Sequence, residues 1–197
     1  MASTKVLIAY GSRYGCTEEI SHELAGFLEE EGFQTQLLDL RTTREDQWPS
    51  IAEYHGVMIG TGIRIGYWTK EARKFLKRNK ALFQGHKKAL GVFVSCGYAA
   101  DPKMYPKAKE EFIEPTLNKI GIESDLYDAF GGVFDFSNSS KVGYLDKKIL
   151  RWGARDLCMD IEFDSRNDYR NWDQIRIFSK EFTKIAKKNQ VNSQVSI

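Results

Sequence analysis

Apolar positions recur along this chain in two alternating rhythms. Lys5–Tyr10 (KVLIAY) is a short, almost continuous apolar run, the pattern of a strand buried on both faces. Thr17–Glu30 follows with Ile20, Leu24, Phe27 and Leu28 at helical spacing, Thr17 placed to cap it and Gly32 to end it. Strand character returns at Phe33–Leu40, and a short helix is expected within Trp48–Tyr54. Gly56–Thr61 (GVMIGT) reads as the third strand. Thr69–Phe83 reads as a helix that turns Ala72, Phe75, Leu76 and Leu82 or Phe83 inward, and Ala89–Ser95 (ALGVFVS) as the fourth strand. Lys107–Ile120 carries Phe112, Ile113, Leu117 and Ile120 on one helical face, and Pro115 inside it predicts a kink or a break. Ala129–Phe136 is the fifth strand. Gly143–Met159 and Asp173–Lys187 complete the pattern as helices, and Asn189–Ile197 is a polar tail expected to fray.

Strands alternating with helices predict parallel strands joined by right-handed crossovers. The expected fold is therefore α/β: a three-layer, doubly wound, five-stranded parallel sheet. The 197 residues suffice for one full core. We expect a single domain over residues 1–188, with a helical insertion at about 141–160 and the tail at 189–197. Ligands of such sheets bind beyond the carboxyl ends of the strands, at the topological switch point. That rule selects the loops after Tyr10, Gly60 and Val94.

The first of these, Gly11-Ser12-Arg13-Tyr14-Gly15-Cys16-Thr17, leaves a buried strand and opens a helix. Small and hydroxyl residues let backbone amides converge there, and the helix dipole adds positive character. It lacks the Gly-Lys-Ser/Thr ending of a nucleoside-triphosphate loop and the Gly-x-Gly-x-x-Gly of a dinucleotide fingerprint, so a single phosphomonoester fits better. A plain strand–helix turn is the competing reading. The second loop, Thr61–Trp68, has two glycines that permit close approach to a flat ligand, and ends in aromatics. The third begins Ser95-Cys96-Gly97-Tyr98 and adds a glycine and another aromatic. Each alone is a turn beside core aromatics; together they read as two walls around a planar ring.

Composition narrows the classes. Apolar residues make up 42% and charged residues 28%, ordinary for a globular protein and unlike collagen-like or disordered chains. Three cysteines, Cys16, Cys96 and Cys158, are too few and too scattered for a disulfide framework, which fits a reducing compartment. His22, His55 and His86 are isolated, which argues against zinc. No apolar run approaches the ~20 residues of a membrane helix. No charged n-region precedes the first strand, so no signal peptide is expected. The expected location is cytoplasmic.

Charge is nearly balanced, with 29 basic and 27 acidic residues, but residues 68–88 hold eight bases against Glu71 alone. That run is a solvated face or a docking face for an acidic partner or anionic lipid. Without interleaved aromatics it does not suggest nucleic acid. Residues 141–160 mix Tyr144, Leu145, Ile149, Leu150, Trp152, Leu157 and Met159 with Lys141, Lys147, Lys148, Arg151 and Arg155. The readings are a helix packed on its own domain, a subunit interface or a peripheral membrane contact; a homodimer is the expectation. Cys16 sits at a helix N-terminus, where thiol pKa values fall, and Cys96 in the third loop. A thiol-redox role is weaker than that of small residues filling turns.

The stretches VLIAYGSRYGCT, IGTGIRIGYW and GVFVSCGY resemble the flavodoxin family, and the order of elements extends the resemblance over nearly the whole chain. The resemblance implies flavin mononucleotide (FMN), its phosphate at Ser12–Thr17, its ring between the second and third loops, and a sheet of order 2-1-3-4-5. The cofactor-binding candidates it implies are Ser12, Arg13, Tyr14, Gly15, Cys16, Thr17, Thr61, Gly62, Ile63, Arg64, Ile65, Gly66, Ser95, Cys96, Gly97 and Tyr98. Arg64 is the candidate cation at the ring, with a surface or interface salt bridge as its competing reading. Within the family, IGTGIRIGYW, YLDKKILRW (Tyr144–Trp152) and NWDQIRIFSKEF (Asn171–Phe182) resemble the flavodoxin-like, menaquinone-dependent protoporphyrinogen oxidases.

Three functions compete. The first is a cytoplasmic electron carrier between protein redox partners. The second is an enzyme that oxidises a porphyrinogen and passes electrons to a quinone. The third is a non-catalytic module, which the glycine- and hydroxyl-rich first loop disfavours. Because no acid or base for dehydrogenation can be named from the sequence, the carrier leads.

Overall fold

The computed structural model describes residues 4–84, 88–156 and 161–195. Five parallel strands form the central sheet: β1 (Lys5–Gly11), β2 (Gln34–Asp39), β3 (Gly56–Gly62), β4 (Ala89–Cys96) and β5 (Leu126–Gly131), in the expected order β2-β1-β3-β4-β5. β1 pairs with β2 on one side and β3 on the other, so the chain reverses its winding there. The loops after β1 and β3 therefore diverge and open a crevice.

Alternation along each strand feeds two cores. Leu7, Ala9, Val57, Ile59, Leu90 and Val92 face α2 (Lys70–Arg78) and the segment ending in Ile120. Val6, Ile8, Met58 and Phe93 face α1 (Cys16–Glu30) and α7 (Trp172–Val195). Both faces are covered, which is why the strands read as continuous apolar runs. Phe182 of α7 crosses the sheet at Gly56 and Gly91, where an added Cβ would come within 2.9 Å of its ring.

Several boundaries depart from the sequence reading. The short helix expected within Trp48–Tyr54 is a single 3-10 turn, Ile51–Glu53, and a second such turn, Glu45–Gln47, precedes it. The helix expected at Thr69–Phe83 has Thr69 as its side-chain cap and breaks at Asn79 before α3 (Lys80–Phe83), with Phe83 inward and Leu82 exposed. The predicted break at Pro115 takes the form of a π turn. α4 (Tyr105–Ala108) leads into π-helical Lys109–Ile113 and then α5 (Glu114–Ile120). Pro115 has no N–H to return to the preceding turn. In the same turn the Phe112 carbonyl accepts from Trp68 Nε1 (2.6 Å) and from the Thr116 hydroxyl (3.2 Å).

The run Ala129–Phe136 divides in two. β5 ends at Gly131, and β6 (Val133–Asp135) pairs antiparallel with β7 (Arg166–Asp168). Gly131 cannot carry a side chain, because its Cβ would lie 2.0 Å from the Tyr169 carbonyl oxygen. Between β6 and β7 lies α6 (Tyr144–Asp156). This inserted layer has a core of its own, Phe134, Phe136, Ala154 and Ile161, backed by Leu150, Phe163 and Tyr169. The Leu157 and Met159 expected within α6 lie outside the described residues. α7 continues through Val195, across most of the segment read as a fraying tail.

Candidate functional site

The loops after β1, β3 and β4 meet the inserted layer around one cavity of about 1,710 Å³. Every candidate residue named from the sequence lines it except Thr61. Thr61 is fully buried; its hydroxyl accepts from the Thr69 amide (3.1 Å) and locks the end of β3 to the start of α2.

At one end, Gly15 caps α1 with φ 98° and offers no side-chain cap. The first-turn amides of a helix have no intrahelical acceptors, so here they remain donors for an anion. Ser12 Oγ accepts from the Gly15 amide (3.1 Å) and closes the loop on itself. Thr17 does not cap the helix as expected. Its hydroxyl points to Ser95, with the two oxygens 2.8 Å apart, and joins the first loop to the third. A Cβ on Gly62 would lie 3.2 Å from Thr17 Oγ1 and 3.8 Å from Ser95 Oγ, so the second loop meets the same point through a bare backbone.

Of the two acids in the first turn of α1, Glu18 and Glu19, the second is masked. Glu19 accepts from Arg166 and Arg170, each at 2.7 Å. Burial opposes its ionisation, yet the two guanidinium hydrogen bonds prevail and hold its carboxyl below the usual range. Arg170 also donates to Asp168 and lies 4.5 Å from the Trp172 ring.

Arg64 is engaged. Its Nε and Nη2 donate to Asp146 Oδ1 at 3.0 and 2.7 Å, a contact between the second loop and α6. Hydrogen bonds from Tyr14 and Arg64 hold the Asp146 carboxyl below its ordinary range. Asp146 thus ties all of the first loop, the second loop and the inserted layer together. The competing reading of Arg64 as a salt-bridge residue describes its contacts. Arg64 and Tyr67 also close a tight turn whose tip, Ile65-Gly66, has positive φ at both positions (50° and 75°). That tip is exposed.

The cysteines fit the reading as small residues that fill turns, although the helix N-terminus does not lower the Cys16 thiol. Burial pushes the Cys16 thiol up to about 11 and the Cys96 thiol up to about 12, outweighing the helix N-terminus for Cys16. Neither is a thiolate at neutral pH.

Beside the third loop, the π turn presents Glu111 and Phe112 to the cavity, with Phe112 and Tyr98 ring centroids 5.0 Å apart. α6 adds Lys148, Ile149, Trp152 and Arg155, and Lys141 joins them. Sequence reasoning missed Glu111 and His22 as cavity residues, because nothing in the local pattern marks an exposed polar position as facing a ligand. The combination of apolar and cationic residues at 141–160 was the one available signal for the far wall.

The flavodoxin domain model matches residues 7–152, which contain the cradle, all three loops and most of α6. The chain belongs to the flavodoxin domain family. Proteins of this kind are FMN-binding flavoproteins, and FMN is the cofactor of the fold. The donor set fits that cofactor: uncapped first-turn amides, paired hydroxyls and a glycine contact for a phosphate, then two loop walls for a ring. Among curated relatives, the protoporphyrinogen IX dehydrogenase [quinone] of Escherichia coli (strain K12) is 24% identical over 190 residues, covering 93% of this chain and 97% of that protein. Among solved structures, an archaeal flavodoxin superposes with a TM-score of 0.52 at 13% identity, covering 93% of this chain and 99% of that one. The rubredoxin oxygen:oxidoreductase of Desulfovibrio gigas gives 0.57 at 17% identity over 94% of this chain, which spans 37% of that longer protein. These structural likenesses establish the fold.

Proposed function

We propose that this flavodoxin-domain protein is an FMN-dependent oxidoreductase that oxidises a porphyrinogen-class substrate within its own cavity and passes the electrons to a quinone. In this reading Ser12–Thr17 hold the phosphate, and Gly62–Gly66 and Ser95–Tyr98 flank the ring. The observation that carries it is the size and charge of the cavity. At about 1,710 Å³ it exceeds the roughly 300–1,000 Å³ of ordinary ligand pockets. Its lining cations fall in two groups: Arg13 in the first loop and Arg166 on β7, the latter paired with Glu19, and Lys141, Lys148 and Arg155 on the segment that carries α6. One phosphate cannot use both groups, so the far wall suits a second, anionic, largely apolar ligand against Trp152 and Ile149. The relative's name supports the same substrate class.

FMN, when bound, supplies the redox chemistry. The protein's share is to bind and orient. Arg64 and Asp146 fix the second loop against the roof, while Phe112 and Tyr98 form an apolar wall that limits water. Glu111 is the carboxylate on that wall able to take a proton released by the substrate. We place the activity in the cytoplasm and treat residues 1–188 as one unit.

The second reading is the electron carrier for protein partners, favoured by the exposed bases of α2. It is weakened because Lys74 pairs with Glu45, and Arg78, Lys80 and Lys88 donate to backbone carbonyls of their own chain. Anaerobic incubation of the FMN-loaded protein with protoporphyrinogen IX and menadione, followed by porphyrin fluorescence, separates the two. Turnover that falls at least tenfold in Glu111→Gln with FMN retained supports the enzyme. No turnover in a protein that still accepts and donates electrons supports the carrier.

A further inference from the structure

The described residues include nine large apolar side chains at the surface, and six of them gather on two elements: Ile65 and Tyr67 of the second-loop turn, and Tyr144, Leu145, Ile149 and Trp152 of α6. Exposure is high, 62% for Ile65, 73% for Leu145 and 81% for Trp152. At about 100° per residue, Leu145, Ile149 and Trp152 form a single stripe along α6. Lys148 and Arg155 lie along one margin of that stripe, with Tyr144 just beyond them and Lys148 Nζ 4.8 Å from the tyrosine ring. The opposite side of the helix is fully employed: Ala154 is buried, Lys147 donates to the carbonyls of Phe136 and Ser137, and Asp146 holds Arg64. The stripe is therefore not a packing face of its own domain. The Arg64–Asp146 ion pair fixes it beside the Ile65 turn, so the two form one patch.

We infer that this patch is a docking face for an anionic lipid bilayer, seating the mouth of the cavity against the membrane surface. The composition decides the occupant. A helix with Trp and Leu on a stripe and Lys and Arg along its margin lies in the bilayer interface, its apolar side chains among the acyl chains and its cations at the phosphates. Tyr67 and Tyr144 add the amphipathic aromatic rings that favour the headgroup level. The segment from Lys141 to Asp156 carries five bases and two acids, and one of those acids, Asp146, is neutralised by Arg64. A second copy of this chain fits less well. A twofold contact would set the patch against itself and so bring two surfaces that both carry the Lys148 and Arg155 charges into one interface. Ile65, Ile149 and Trp152 belong both to this patch and to the cavity lining, so a ligand dissolved in the bilayer would enter without crossing water.

Flotation of the FMN-loaded protein with phosphatidylcholine vesicles, with and without phosphatidylglycerol, tests the inference independently of any turnover. Binding to the anionic vesicles, weakening as salt rises and nearly absent on pure phosphatidylcholine, is the expected result. Leu145→Ser should lower the bound fraction at least about tenfold, and Lys148→Gln about fivefold. Retained flavin absorbance in Leu145→Ser shows that the fold is intact. Failure of the flavin-loaded protein to float on anionic vesicles overturns the inference. So does binding that Leu145→Ser leaves unchanged, or a concentration-dependent dimer that Leu145→Ser dissociates while vesicles are ignored. None of these outcomes alters the assignment of porphyrinogen oxidation, which is read in solution.

Discussion

Phe182 on α7 and Trp152 on α6 are both large aromatics on amphipathic helices. The first is fully buried across Gly56 and Gly91, and the second is 81% exposed at a cavity mouth. The difference runs through the two regions they represent. The sheet and its flanking helices bury whole side chains in two continuous cores. The inserted layer from β6 to β7 has a small core and spends its remaining apolar surface facing outward. Stability is concentrated in the first region, and the cavity wall on which the proposed substrate oxidation depends lies in the second. Phe182→Ala should cost about 3–5 kcal/mol, whereas Trp152→Ala should change stability by no more than about 0.5 kcal/mol. Urea unfolding of both variants checks this, and similar losses would dissolve the distinction between the regions.

The cavity's reactive groups sharpen the same comparison, because its floor belongs to the sheet. Cys16 and Cys96 sit where the sheet excludes water, and burial pushes their thiols up to about 11 and about 12. At neutral pH Cys16 should react with iodoacetamide about a hundredfold more slowly than a free cysteine, since two pH units separate the thiolate populations. Peptide-resolved mass spectrometry of native protein reads both sites. The rate should rise with pH toward those values. Rapid neutral labelling of Cys16 would mean that the helix N-terminus, and not burial, governs the thiol.

At the cradle the three loops touch through small atoms. Gly62→Val would place a branched side chain 3.2 Å from Thr17 Oγ1, and should weaken FMN binding about tenfold while leaving the distant α7 packing intact. Flavin fluorescence titration of the flavin-free protein measures it. An unchanged affinity would remove Gly62 from the site.

How much of this was legible in the sequence follows from the same contrast. The strands of the sheet are buried on both faces, so their apolar runs declare themselves, and the family resemblance implies the strand order. The loops at the switch point were found because glycine and hydroxyl residues stand where a strand meets a helix. The inserted layer was harder. β6 and β7 are three residues each, and their partner lies more than thirty positions away, so neither has a period to detect. The pairing of Arg64 with Asp146 spans 82 positions and depends on the inserted layer folding back over the second loop. Local sequence could not distinguish that outcome from an arginine pointing at the flavin ring. Thr61 was misplaced for a related reason: a threonine at the end of a strand looks the same whether it faces a ligand or, as here, Thr69.

The weakest expected effect concerns the tie between the two regions. Hydrogen bonds from Tyr14 and Arg64 hold the Asp146 carboxyl below its ordinary range. A carboxyl depressed in the folded state stabilises above its unfolded pKa, about 3.9, and loses that contribution as pH falls through the folded value. Arg64 and Asp146 are both partly exposed, with side-chain accessibilities of 37% and 26%, so the pair is worth about 0.5–1 kcal/mol at neutral pH. Asp146→Asn should therefore loosen the inserted layer slightly without unfolding the sheet. Limited proteolysis within residues 137–165 should accelerate about two- to fivefold at neutral pH, while cleavage elsewhere stays unchanged. The gap between wild type and variant should close in acid, as the wild-type carboxyl takes up its proton; an acid-stable protease such as pepsin extends the measurement there. Equal cleavage rates at neutral pH would show that the small core around Phe134 and Phe136, and not the ion pair, holds the roof in place.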